Sequence, residues 1–159
     1  MIISAETPAQ IEEIRRLFRE YERWLGLDLC FQNFERELAE LPGRYAPAAG
    51  RLFLICVEDK TAGCIALRKL DDEICEMKRL FVREEFRGLN LGRKLIERLI
   101  EEAKDIGYRR MRLDTLPEKM PRAVKLYESY GFRQIAPYYD NPYKGTLFME
   151  LVLDDEHQH

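Results

Sequence analysis

The segment FRGLNLGRKL, Phe86 to Leu95, places three residues that tolerate unusual backbone angles just before a helical run: Gly88, Asn90 and Gly92. A loop of this kind between a strand and a helix can hold an anion. The first turn of a helix carries unpaired N–H groups and a partial positive charge. Glycines let the backbone approach a ligand closely, and Arg87 and Arg93 add charge. A pyrophosphate is the natural occupant. A tight β-to-α turn that needs permissive residues for geometry alone would use the same residues. Two known phosphate loops fit poorly. A P-loop needs GxxxxGK[ST], whereas Gly92 is followed by Arg93-Lys94-Leu95, with no hydroxyl for magnesium. A dinucleotide fingerprint needs GxGxxG on a parallel βαβ unit, and this loop reads GxNxG after a run of hairpin-like strands.

Other chemistry is sparse. Cys30, Cys56, Cys64 and Cys75 contain no CxxC pair, and both histidines, His157 and His159, lie in the last three residues. Clustered zinc ligands are therefore missing, so no metal is expected. A terminal tail is also a poor place for the histidine of a catalytic triad. Free thiols in a reducing cytoplasm fit the cysteines. The formal charge of −3 argues against a nucleic-acid binder, which is normally basic. No stretch approaches the roughly 20 apolar residues of a membrane span. The N-terminal MIISAETPAQ lacks a basic region followed by an apolar run, so no secretory leader and a cytoplasmic location are expected.

The elements that must position the loop follow from periodicity. A chain of 159 residues, 46% hydrophobic and 35% charged, suits one soluble domain, with a core expected over about 1–153. Ile2–Ser4 reads as a first strand. Thr7-Pro8 caps a helix on which Ile11, Ile14, Leu17, Phe18, Tyr21 and Leu25 recur at helical spacing as far as Gly26. A shorter helix fits Asn33–Leu41, stopped by Pro42-Gly43. Strands Arg51–Glu58, Thr61–Lys69 and Glu73–Val82, with turns at Asp59-Lys60 and Asp71-Asp72, predict an antiparallel meander. After the loop, Leu91, Leu95, Leu99 and Ala103 line a helix with Ile96, Ile100 and Ile106 beside them, closed by Gly107. A strand at Arg110–Thr115, a helix at Pro121–Tyr130 and strands at Phe132–Ala136 and Thr146–Leu153 complete the chain.

The loop Arg87-Gly88-Leu89-Asn90-Leu91-Gly92 resembles the cofactor loop of the GNAT superfamily of acetyl-CoA-dependent N-acetyltransferases, whose pattern is [QR]xxGx[GA]. Asn90 stands where the family usually has its middle glycine, and asparagine is the next most tolerant residue for positive φ. The segment Glu76-Met-Lys-Arg-Leu-Phe-Val82 is similar to the family's fourth strand. Ala123 to Phe132, AVKLYESYGF, resembles its A..LYE..GF signature. The likeness is close over roughly residues 50 to 136; the N-terminal helices and the final strand match in layout only.

The resemblance implies an α+β fold. Its mostly antiparallel sheet of six to seven strands splays between the fourth and fifth, with about four helices on its faces. It also implies acetyl-CoA as acetyl donor, its arm lying between those strands along backbone groups of Leu80, Phe81 and Val82, and its pyrophosphate on residues 87 to 93 (Arg87, Gly88, Leu89, Asn90, Leu91, Gly92 and Arg93). Lys94 would point to solvent. Tyr127 matches the tyrosine often used as general acid; packing on Ala123 and Tyr130 is the structural alternative. Glu76 is the candidate base, directly or through a water, unless it merely pairs with Lys78 or Arg68 at the surface, and Glu73 is second choice. Tyr21, Trp24, Tyr138, Tyr139, Asp140 and Tyr143 would line the acceptor site, which suits a small amine or an amino-acid-like molecule. A protein acceptor, a non-catalytic acyl-CoA sensor and a homodimer are left open.

Overall fold

The computed structural model describes residues 1–26 and 33–154. Cys30 and both histidines lie outside them. Helix α1 (Pro8–Leu25) begins where Thr7 and Gln10 cap each other. The Thr7 hydroxyl accepts the Gln10 N–H at 3.2 Å, and the Gln10 side chain accepts the Thr7 N–H at 3.0 Å. Gly26, left-handed at φ 70°, ends it. Strand β1 (Ile2–Ser4) precedes it and helix α2 (Phe34–Glu40) follows.

Strands β2 (Arg51–Val57), β3 (Lys60–Lys69) and β4 (Ile74–Val82) form the expected meander. The first hairpin turns on Glu58 and Asp59, both at positive φ, one residue earlier than the sequence suggested. Two positive φ values in a two-residue loop match the right-handed twist of the strands it joins. Helix α3 (Leu91–Ile106), β5 (Arg110–Thr115), α4 (Pro121–Ser129), β6 (Arg133–Ile135) and β7 (Leu147–Val152) complete the order. The seven strands make one sheet in the order β1-β2-β3-β4-β5-β7-β6. The β4–β5 pair is parallel and every other pair antiparallel.

Each face of the sheet carries a core. On one, Leu95, Ile96, Leu99 and Ala103 of α3 and Tyr127 of α4 pack on Phe53, Ile65, Leu67 and Met111. On the other, Ile14, Leu17 and Phe18 of α1 and Phe34 and Leu38 of α2 pack on Leu54, Cys64 and Ala66. Among the described residues no helix is long and apolar enough to cross a membrane.

Strand β4 changes face partway. Its register against β3 jumps between Cys64 and Ala66, and Arg79 sits at φ 61°. This is a bulge: the extra residue reverses the alternation of side chains. Met77 therefore belongs to the α3 side and Phe81 to the α1 side, although four residues apart they would share a face on a regular strand. The bulge is held from outside the strand. Glu37 grips the Arg79 guanidinium at 2.9 and 3.1 Å, and the Phe34 ring lies 5.2 Å beneath it.

Candidate active site

The sheet opens between β4 and β5. Pairing covers only Ile74, Cys75 and Glu76 against Arg110, Met111 and Arg112. Past that point β5 stays paired to β7 as far as Thr115, while Met77–Val82 have no partner on the β5 side. A groove of about 820 Å³ runs outward from this gap, lined by Leu80, Phe81, Val82, Arg87, Gly88, Asn90, Leu91, Gly92 and Arg93. Leu89, expected with them, is half exposed and lies outside the lining.

The loop has the geometry of a cradle. Gly88 is at φ 91°, and Asn90 at φ 61° starts α3 without a side-chain cap. A Cβ on Gly88 or Gly92 would meet no atom within 4 Å. Gly92 has an ordinary φ, so nothing inside the protein requires a glycine there. A glycine in a helix costs about 0.5–1 kcal/mol against alanine, and this one lines the groove. Leu91, the first residue of α3, also serves the fold, buried in the core on that face of the sheet. Arg87 donates to the Val82 carbonyl at 3.2 Å and stacks over Trp24 at 5.1 Å. Arg93 stacks over Tyr130.

Three further cations reach the same groove, Lys119 from the turn before α4 and Arg122 and Lys125 from the helix itself. They escaped sequence reasoning, although the run KMPRAVK was visible. With Arg87 and Arg93 they line a cleft that contains no acid among the described residues. In a chain of net charge −3, that segregation fits a polyanion such as a nucleotide with its phosphates.

At its inner end, through Leu80 and Met120, the groove adjoins a pocket of about 50 Å³. Tyr21, Lys78, Asp114, Thr115, Tyr127 and Tyr143 are among its walls. Thr115 is buried and its hydroxyl has no hydrogen-bond partner among the described residues, which leaves a polar atom for a ligand to satisfy. Tyr127 is buried, with its ring against Phe132, and burial pushes its phenol well above the ordinary range. It therefore holds its proton at neutral pH.

Glu76 is fully buried, not at the surface. Its carboxylate accepts from Arg68 at 2.7 Å and from the Tyr138 hydroxyl at 2.6 Å. Burial raises its pKa, but Lys78, Arg68 and the Tyr138 hydrogen bond outweigh that, and the group sits below the ordinary carboxylate range. It stands behind the pocket, not among its lining residues. Glu73 is exposed in the turn before β4. Asp114 does line the pocket; it accepts from Tyr139 at 2.8 Å and pairs with Lys78 at 3.7 Å. Of the expected acceptor residues, Tyr21 and Tyr143 reach the pocket. Tyr138 and Tyr139 are occupied by the two carboxylates, and Trp24 faces the groove. Among the described residues no group of His, Cys, Asp and Glu could hold a metal ion.

Residues 11–132 match the model of the acetyltransferase (GNAT) family. An uncharacterised N-acetyltransferase of Schizosaccharomyces pombe is 40% identical over 154 residues, 96% of this chain and 94% of its own. A GNAT-family acetyltransferase from Staphylococcus aureus superposes with a TM-score of 0.80 at 23% identity, covering 97% of this chain and 99% of its own. An acetyltransferase structure from Salmonella typhimurium, solved with its cofactor acetyl-CoA, gives 0.67 at 21% identity, with 98% and 95% covered. The chain belongs to the GNAT family of acetyltransferases and is an N-acetyltransferase.

Proposed function

We propose that this enzyme transfers acetyl from acetyl-CoA to the primary amine of a small acceptor, by direct attack within a ternary complex. One observation carries the reading: the cationic groove, with no acid among its described lining residues, adjoins at the β4–β5 gap a small pocket that holds Tyr127. Residues 87, 88 and 90–93 hold the pyrophosphate, with Lys119, Arg122 and Lys125 adding charge. Backbone groups of Leu80, Phe81 and Val82 lie along the pantetheine arm, and one N–H there polarises the thioester carbonyl. When bound, acetyl-CoA supplies an activated acetyl group.

The protein manages two protons. A free alkyl amine has a pKa near 10.4, so the acceptor must lose a proton before it attacks. Glu76, kept ionised by Lys78 and Arg68, takes that proton through a bridging water. Tyr127 keeps its own proton until the thiolate departs, and donates it there. The narrow pocket favours an unhindered amine from a small molecule over a residue of a folded protein.

The test is CoA release over a panel of small amines, alongside calorimetry of acetyl-CoA binding. Saturable, acceptor-dependent release is expected. A folded protein that does not bind acetyl-CoA refutes the reading. One that binds it but turns over no amine is a sensor instead.

A further inference from the structure

Lys78 is the exception among the lysines. Every other lysine of the chain is exposed, whereas its side chain is 5% exposed. Its ammonium pairs with Asp114 across the gap at 3.7 Å, and it shares the small pocket with Leu80, Tyr127 and Thr115. Lys78 precedes Leu80 by two residues on β4. Strands rise about 3.3 Å per residue, so the two backbones lie within about 7 Å, and the bulge at Arg79 shortens the step. Burial also lowers the amine's pKa from its ordinary value, against the opposing pull of Asp114. An amine transferase thus carries a primary amine of its own inside its acceptor pocket.

We propose that Lys78 is an acetyl acceptor: without an external amine, the enzyme acetylates its own Lys78 from acetyl-CoA. This rests on reading the gap as the acetyl-CoA site. The steps balance. Lys78 gives one proton to Asp114, and the freed nitrogen lone pair attacks the thioester carbonyl carbon. The C–N bond forms and the C–S bond breaks. Tyr127 protonates the departing thiolate and recovers a proton from the new amide nitrogen. The products are acetyl-Lys78 and CoA. The acetylated side chain is neutral and fills the pocket, and Asp114 loses its ion pair. The product is an enzyme closed to acceptors, so its own substrate protects it: an amine in the pocket takes the acetyl group first.

The experiment incubates the full chain with acetyl-CoA and no acceptor, then maps acetylation by peptide mass. A parallel sample receives acetyl phosphate, a donor that modifies amines without the groove, and a third receives acetyl-CoA with excess CoA. Lys78 is expected to approach one acetyl per chain with acetyl-CoA, to be shielded by CoA, and to stay unmodified with acetyl phosphate while exposed lysines react. Tyr127→Phe should slow Lys78 acetylation about 10²-fold or more. Acceptor turnover after preincubation should fall in step with Lys78 occupancy. An unmodified Lys78 in a preparation that acetylates external amines overturns the proposal and leaves the enzyme's function standing. A preparation that neither binds acetyl-CoA nor modifies Lys78 overturns both. Equal modification by the two donors shows that Lys78 is merely reactive and also overturns it.

Discussion

Replacing Gly92 with alanine should move stability and ligand binding in opposite directions. Gly92 sits in the first turn of α3 with ordinary backbone angles, and an added Cβ meets nothing within 4 Å. The fold therefore gains the helix preference of alanine, about 0.5–1 kcal/mol, with no steric cost. For a chain of this size 1 kcal/mol is worth roughly 2–4 °C, so Tm should rise by about 1–4 °C in the free protein. On the proposed function, the new methyl enters the groove where the pyrophosphate would touch the backbone. A lost or lengthened N–H contact to a charged oxygen is worth about 1.5–3 kcal/mol, or roughly 10- to 150-fold in Kd. Thermal melts without ligand and calorimetry with CoA read the two effects separately. A higher Tm with unchanged CoA affinity would mean that the glycine does not face the ligand. A lower Tm would mean that the backbone itself needs it, and the cradle argument would fail.

Asn90→Gly should bind acetyl-CoA at least as well as the parent, because φ 61° is free for glycine and the Asn90 side chain makes no cap bond; a large loss by calorimetry would reveal a direct ligand contact. Tyr127→Phe should keep the fold and lower the chemical step about 10²–10⁴-fold, whereas parental single-turnover rates would return Tyr127 to packing alone. Glu76→Gln should lower kcat/KM most at neutral pH, with partial recovery as pH rises; a constant ratio to the parent across pH would remove the base role. The same change should cost up to about 3 kcal/mol of stability, since Arg68 and Lys78 lose their buried counter-charge. Its pH dependence has a definite sign. The folded pKa is depressed, so this stability is fully present above the unfolded value near 4.3 and is lost as pH falls through the folded value. Acid melts of the parent should fall in that range and those of Glu76→Gln should be flatter there. Thr7→Ala should cost about 1 kcal/mol in denaturant melts and leave kcat unchanged.

Most elements were legible because their signals are local. The α1 stripe, its Thr7 cap, Gly26 and Gly107 as helix stops, and the alternation of β2 and β3 all lie within a few neighbouring residues. The loop was legible because positive φ leaves a mark in residue type at Gly88 and Asn90. The bulge at Arg79 left none: an arginine sits at positive φ there, its side chain held by Glu37 and Phe34, more than 40 residues away. The site's electrostatics were hidden for the same reason. Tyr138 reaches Glu76 across 62 positions, and Lys78 meets Asp114 only because two strands part. Trp24 was expected with the acceptor from its place on α1, but the end of that helix leans toward Arg87. A cluster of charges distant in sequence has no pattern to read until the sheet assembles it.

The segregation of charge along the groove also bears on how the proposed nucleotide ligand would arrive. The molecule as a whole is an anion meeting a polyanion, yet among the described residues five cations and no acid line the cleft. At about 0.1 M salt the screening length is near 10 Å, so the repulsive net charge is largely masked while the cationic walls still act on a ligand already at the mouth. Lowering the salt strengthens both fields, and clefts focus theirs. Encounter is thus an orientation filter: approaches toward the rest of the surface are turned away, and those that present phosphate to α4 and the loop are drawn in. Association rates for CoA should therefore rise as salt falls. Dephospho-CoA, with one phosphate fewer, should show a shallower slope in the same stopped-flow series.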